Sequence, residues 1–298
     1  MRSQKMLGTV MLLITALIWG CAFTAQSVGM DYVGPFTIQG VRLIFGGVVL
    51  LPFIALRASR AKKAGRVTSP EEKRLTLKAG LSCGVMLGLA VNIQQIGIQY
   101  TTVGKAAFVT AMYILLVPLF GLFLGGRASR RVWLSVLLGV VGLYLLCMSS
   151  GGFTLMKGDA IELLGAVAFA GHILIIDRYS ARVDGLKLSC LQFLTAGVGT
   201  CILMFALEQP SWTAILSGWG PILYMGVMSC GVAYTFQVLG QKYVSPTAAS
   251  LLMSMESVFS VLCGMVVLHE IPTGREFAGC AVMLAAILLC QLPERKKA

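Results

Sequence analysis

Residues Leu77–Ile98 read LKAGLSCGVMLGLAVNIQQIGI. The stretch holds a single charge, Lys78 near its start, and at about 1.5 Å of rise per residue it can cross roughly 30 Å of hydrocarbon as a helix. Gly80, Gly84 and Gly88 recur every fourth residue. They share one face, where a second helix can come close or where two copies of the chain could pair as a homodimer. Asn92, Gln95 and Gln99 fall at i, i+3 and i+7, a polar stripe on an otherwise apolar run. Amides in hydrocarbon are costly unless they face a cavity or one another. The segment therefore reads as a spanning helix inside a bundle.

Comparable runs recur on both sides of it. The expected spans are Leu7–Val28, Pro35–Leu56, Leu77–Ile98, Gly104–Leu124, Val132–Ser149, Asp159–Ile176, Leu188–Leu207, Trp219–Leu239, Pro246–Leu268 and Arg275–Leu292. Composition agrees: 57% of the 298 residues are apolar and 12% are charged, about half the charge of an average soluble domain. The ~10-residue alternating segments of a membrane barrel are absent. The expected fold is all-α, with ten transmembrane helices. Arg2 and Lys5 precede an apolar run ending Ile18-Trp19-Gly20-Cys21, a loose likeness to a lipoprotein signal. Trp19 is bulky where such a cleavage box needs small residues, so an uncleaved first span is expected.

The net charge of +12 does not indicate a nucleic-acid partner, because the cations lie in short connections between apolar runs rather than on one face. With the N-terminus inside, the inner segments hold 20 Lys and Arg residues and the outer segments hold three, Lys105, Lys157 and Arg275. That bias places both termini in the cytoplasm, with the bacterial inner membrane as the expected location. Nine cysteines form no CxxC pair, so neither a zinc site nor a disulfide framework is indicated, and no metal or cofactor is expected.

The chain also resembles itself. A shift of 142 residues aligns Gly84 with Gly226, Gln95 with Gln237, Gln99 with Gln241 and Ala106-Ala107 with Ala248-Ala249. A shift of 150 aligns Gly8 with Gly158, Trp19 with Phe169, Arg42 with Gln192 and Gly47 with Gly197. The expected organisation is a five-helix repeat over residues 1–150 and a second over residues 151–298. Five is odd, so the second half enters from the opposite side, the inverted plan that recurs in secondary transporters.

Two segments carry a family resemblance. One is Gln99-Tyr100-Thr101-Thr102-Val103-Gly104-Lys105-Ala106-Ala107-Phe108-Val109-Thr110, followed by Val117-Pro118. The other is Tyr243-Val244-Ser245-Pro246-Thr247-Ala248-Ala249-Ser250, then Met255-Glu256-Ser257-Val258-Phe259. With Leu268-His269-Glu270 and Gly279, they resemble EamA-type members of the drug/metabolite transporter superfamily. The family places Pro after the Glu of the ninth span; Ser257 stands there. The resemblance implies ten helices, an in-plane repeat and transport of small metabolites, often export of amino acids.

Several residues are candidates for the site. Asn92 and Gln95, with Tyr234 and Gln237 at the equivalent positions of span eight, would contact a polar or zwitterionic solute or else tie helices together. Glu256 lies about 15 Å into span nine, among Ser250, Ser254, Ser257 and Ser260, and could take a proton or a substrate ammonium, or pair with Arg42. Arg42 itself reads as a structural charge. His172 is a proton-sensitive candidate, and Trp19 and Tyr113 are candidate aromatic walls. Glu162 and Asp177 read as interfacial charges. No Walker loop or HExxH occurs. A secondary transporter of small metabolites, in export, is therefore expected ahead of a channel or facilitator, an intramembrane enzyme or a non-transporting scaffold. Its partners are the solute and the lipid bilayer.

Overall fold

The computed structural model describes residues 2–65, 68–101, 103–125, 128–148, 156–267 and 273–292. Arg66, Thr102, Arg127, Ser149, Leu268, His269, Glu270, Arg295, Lys296 and Lys297, invoked above for spans, orientation or resemblance, lie outside these residues. Among the described residues the chain is helical, without strands. The order is α1 (Arg2–Gly29), α2 (Pro35–Lys63), α3 (Pro70–Ile98), α4 (Val103–Thr110), α5 (Tyr113–Phe123), α6 (Arg130–Cys147), α7 (Lys157–Ser180) and α8 (Gly185–Leu207). There follow α9 (Trp212–Ser217), α10 (Trp219–Tyr224), a π-helical segment (Met225–Tyr234), α11 (Thr235–Gln241), α12 (Pro246–Met253), α13 (Glu256–Val267) and α14 (Gly274–Gln291).

Eight of these helical stretches are long and apolar enough to cross a membrane, one of them the joined α4–α5 and one the joined α10–π–α11. α12 and the start of α13 form a shorter apolar unit, Pro246–Leu262. Leu43, Leu87, Ile114, Leu143, Phe193 and Leu251 are fully buried, whereas Phe53, Leu164, Ile202 and Phe205 are exposed. An apolar outer belt of this kind is a lipid-facing surface, and the chain is an integral membrane protein.

The segment between the second and third expected spans, residues 57–76, is largely helical among the described residues. α2 runs on to Lys63, with Arg60, Lys62 and Lys63 in its last turn, where cations complement the helix dipole. α3 begins early because Ser69 accepts from Glu72 N, Pro70 occupies the first turn and Glu71 and Glu72 follow.

The glycine stripe of α3 packs inside the chain. A Cβ on Gly80 would meet Leu191 and one on Gly84 would meet Thr195 and the Gln192 carbonyl, all on α8. Helices α2 and α8 pack against each other, as do α6 and α14. The remaining major contacts come in matched sets: α3 on α7 with α11 and the π segment on α1, α3 on α8 with the π segment on α2, and α4–α5 on α7 with α12–α13 on α1.

Two spans are interrupted. Between α4 and α5 the backbone tightens to i→i−3 hydrogen bonds, Met112 N to Val109 O and Ile114 N to Ala111 O; between α12 and α13, Met255 N bonds to Leu252 O and Ser257 N to Ser254 O. Met112 (φ −60°, ψ −10°) and Ser254 (φ −64°, ψ −9°) have nearly the same backbone geometry and stand 142 residues apart. The second break forms without a proline. Ser250 and Ser254 instead donate their hydroxyls to the carbonyls of Thr247 and Leu251, a local competition that weakens the helical ladder.

Candidate functional site

A small cavity of about 40 Å³ lies between the two breaks, lined by Trp19, Ala22, Phe23, Gln26, Arg42, Gln94, Thr110, Tyr113, Phe169, Ser229, Tyr234 and Glu256. The side chains converge from α1, α2, α3, α4, α5, α7, the π segment and α13. Tyr113 opens α5 and Glu256 opens α13, so each follows directly on a helix break. Discontinuous helices are a backbone device that places polar groups at mid-membrane in transporters.

The walls are aromatic. Tyr234 packs against Trp19 with ring centroids 4.5 Å apart and planes tilted by 59°, and Phe193 and His172 meet Tyr234 edge-on at 5.9 and 6.1 Å. Glu256 is buried and accepts a hydrogen bond from Tyr113 Oη at 3.2 Å. Arg42 is equally buried, and its Nη1 donates to Met225 Sδ at 3.4 Å. No carboxylate of the described residues stands within 4.0 Å of Arg42, so the pairing with Glu256 considered from sequence is not formed. The cavity thus carries a cation and a carboxyl that are not joined to each other. Trp19 Nε1, Gln26 Oε1 and Arg42 Nε also lack a protein partner among the described residues.

Of the residues singled out from sequence, Trp19, Tyr113, Tyr234, Arg42 and Glu256 line this cavity. The structure places the others elsewhere. Asn92 donates to Gly88 O and to Thr200 Oγ1 on α8, both at 2.7 Å. Gln95 accepts from Gln39 Nε2 on α2 at 2.6 Å. His172 Nε2 lies 3.0 Å from Gln192 Oε1, also on α8. Gln237 is buried on α11 outside the cavity lining. The glutamine of α3 that reaches the cavity is Gln94, one residue away and about 100° around the helix.

Glu162, taken from sequence as interfacial, is fully buried. Thr110 Oγ1 donates to Glu162 Oε2 at 2.8 Å and accepts from Gln94 Nε2 at 3.3 Å. A second buried carboxyl therefore sits one hydrogen bond behind the cavity wall. Gly97 makes room for it, since a Cβ there would collide with the carboxylate. The sequence signal was a Glu one turn after Asp159. Asp177, by contrast, is exposed in the last turn of α7. One turn before Glu162, Asp159 accepts from Thr101 Oγ1 and Met156 N and pairs with Lys105 at 3.7 Å, tying the start of α4 to the start of α7.

Comparisons with known proteins point one way. A family profile described as the EamA-like transporter family matches the chain twice, over residues 6–148 and 156–291. A protein of Archaeoglobus fulgidus named as an uncharacterized transporter is 27% identical over 293 residues, covering 97% of this chain and 87% of the relative. The uncharacterized inner membrane transporter YedA of Escherichia coli K12 is 26% identical, covering 93% and 88% respectively. The threonine/homoserine exporter RhtA of the same strain is 26% identical, covering 97% and 92%. A solved crystal structure shares the fold with a TM-score of 0.76 at 21% identity, over 95% of this chain and 96% of the other.

Proposed function

The chain belongs to the EamA-like transporter family, and on that premise we propose that it is a secondary transporter exporting small zwitterionic metabolites, amino acids among them, by alternating access. One observation carries the substrate class. Arg42 and Glu256 line the same aromatic cavity without pairing. A zwitterion presents a carboxylate and an ammonium to such a site, and each would meet an opposite charge in a place where water screens poorly. Trp19 and Tyr234 would hold the apolar part of the solute, with Tyr113 orienting Glu256. The naming of RhtA as a threonine/homoserine exporter favours the same class.

The mechanism rests on ten spans arranged as two inverted repeats, residues 1–150 and 151–298. Three features support that arrangement: the profile matches once in each half, the helix contacts come in sets exchanged between the halves, and the two helix breaks fall at one repeat shift. Rocking of one repeat against the other would open the cavity alternately to either side. Both termini would lie in the cytoplasm, in accord with the lysine and arginine bias, and the location would be an inner membrane like that of YedA.

The test is flux of labelled amino acids, purines and small cations into vesicles reconstituted with the purified protein, with and without an imposed pH gradient. Saturable flux of amino acids is expected, lost in both Arg42→Gln and Glu256→Gln. Equal flux of a cation such as choline, or full activity with Arg42→Gln, would reject the zwitterion reading.

A further inference from the structure

A second concavity, about 430 Å³, opens at the opposite end of the α2–α8 pair from the Glu208 cap of α2. Five basic side chains converge on it from separate elements: Arg57 and Lys62 on α2, Arg182 in the α7–α8 turn, Lys187 on α8, and Lys242 just after α11. Two acids share it, Asp184 and Glu72. Arg57 pairs with Asp184 at 3.5 Å, whose other oxygen caps Leu186 N and Lys187 N. The helix end is thus already satisfied. Lys62, Arg182, Lys187 and Lys242 have no carboxylate partner among the described residues.

The counterpart pocket at the outer end, around Thr37 and Glu208, is built differently. There the Glu208 carboxylate accepts from Phe36 N, Thr37 N and Thr37 Oγ1, so its charge is spent within the protein. The inner pocket keeps an excess of unspent positive charge. It is also continuous with the lipid-facing side of α2: Ile54 lines it, and Phe53 and Leu56, immediately before Arg57, are exposed. Cations above an apolar ledge at a membrane boundary match an anionic headgroup with its acyl chains running down the helix.

We propose that this pocket binds the phosphate-bearing headgroup of an anionic phospholipid from the inner leaflet. Lys62, Arg182, Lys187 and Lys242 coordinate the phosphate, and the acyl chains lie along Phe53 and Leu56. A lipid held there bridges α2, the α7–α8 turn and α11, elements from both halves of the chain. The site is independent of the cargo reading, since binding is measured without flux.

The experiment titrates full-length purified protein with phosphatidylglycerol and, separately, phosphatidylcholine, reading bound lipid by native mass spectrometry and melting temperature in parallel. The pocket variant Lys62→Gln/Arg182→Gln/Lys187→Gln is compared with Lys73→Gln/Arg74→Gln/Lys78→Gln, an equal charge change on exposed residues of α3 outside the pocket. At roughly fivefold per basic residue, the pocket variant should bind phosphatidylglycerol about a hundredfold more weakly, with the α3 variant near wild type. Equal losses in both variants, or in neither, would overturn the site. Should the pocket variant not fold, wild-type protein decides: melting raised by phosphatidylglycerol above phosphatidylcholine supports the proposal, and no difference rejects it. Displacement of the lipid by equimolar soluble glycerol 3-phosphate would overturn the lipid as occupant and assign the site to soluble phosphates.

Discussion

Replacing Thr110 by valine keeps the shape of the side chain and removes one hydroxyl. That hydroxyl donates to Glu162 Oε2 at 2.8 Å and accepts from Gln94 Nε2 at 3.3 Å. Glu162 is fully buried, and its Oε1 has no partner among the described residues. Valine would therefore leave a buried carboxyl without its hydrogen bond, at a cost of about 1–3 kcal/mol. The bond to Gln94 lies beyond the usual N–H···O range and adds less. At about 2–4 °C per kcal/mol for a chain of 150–250 residues, the melting temperature of purified Thr110→Val should fall by on the order of 5 °C. Gln94 lines the cavity and loses its acceptor, so KM for transported solute should rise as well. Thr110→Ser restores the hydroxyl and should recover both properties. Melting of the detergent-solubilised protein, followed by tryptophan fluorescence, measures the first effect and vesicle flux the second. A Thr110→Val protein that melts with wild type would refute the role given to this hydrogen bond. Serine lacks the γ-methyl group that valine keeps, so a serine protein that melts between valine and wild type reports that packing loss beside the restored hydrogen bond.

Asn92→Ala and Gln95→Ala should each lower stability by about 0.6 kcal/mol, up to about 1.7, and leave the order of preferred solutes unchanged; a competition profile in vesicles checks this against Trp19→Ala, which should alter it. Gly142→Leu should cost about 1–3 kcal/mol by overpacking, because a Cβ there already meets Met283 N at 2.9 Å and Gly279 O at 3.1 Å on α14; melting should drop with KM unchanged. Glu208→Ala removes three hydrogen bonds from the start of α2. By analogy with lost helix caps it should cost about 0.5–2 kcal/mol, with faster hydrogen exchange at the Phe36 and Thr37 amides.

Much of the architecture could be read before any coordinates. Runs of some twenty apolar residues cannot be soluble loops, and backbone groups in hydrocarbon must bond internally. The spacing of Gly80, Gly84 and Gly88 announced a close helix contact, which α8 supplies. The ends of α2 and α3 were misjudged because hydropathy locates the hydrocarbon boundary, whereas a helix stops only where its hydrogen-bond ladder is capped. The breaks at Met112 and Ser254 were not foreseen: local i→i−3 bonding leaves no hydropathy signature, and the expected marker, a proline after Glu256, is absent.

The site was legible in part, and the division has a physical basis. The chain's composition and periodicity determined that it is an all-α membrane protein and that charges at Arg42 and Glu256 would be too expensive in hydrocarbon to stand without a role. They also marked Trp19, Tyr113 and Tyr234 as aromatic. Which way a polar side chain turns was decided by tertiary packing alone. Helix α3 is contacted by α2, α7 and α8, so amides on different faces are all enclosed. A step of one residue, from Gln95 to Gln94, exchanges a tie to Gln39 for a place in the cavity wall. Depth along the helix was equally undetermined for Glu162: one turn from the start of α7 reads as interfacial until α3 and α4 close over it. Sequence thus determined which groups must be sheltered from lipid, and only the assembled bundle determined which of them face a shared cavity and which face a neighbouring helix.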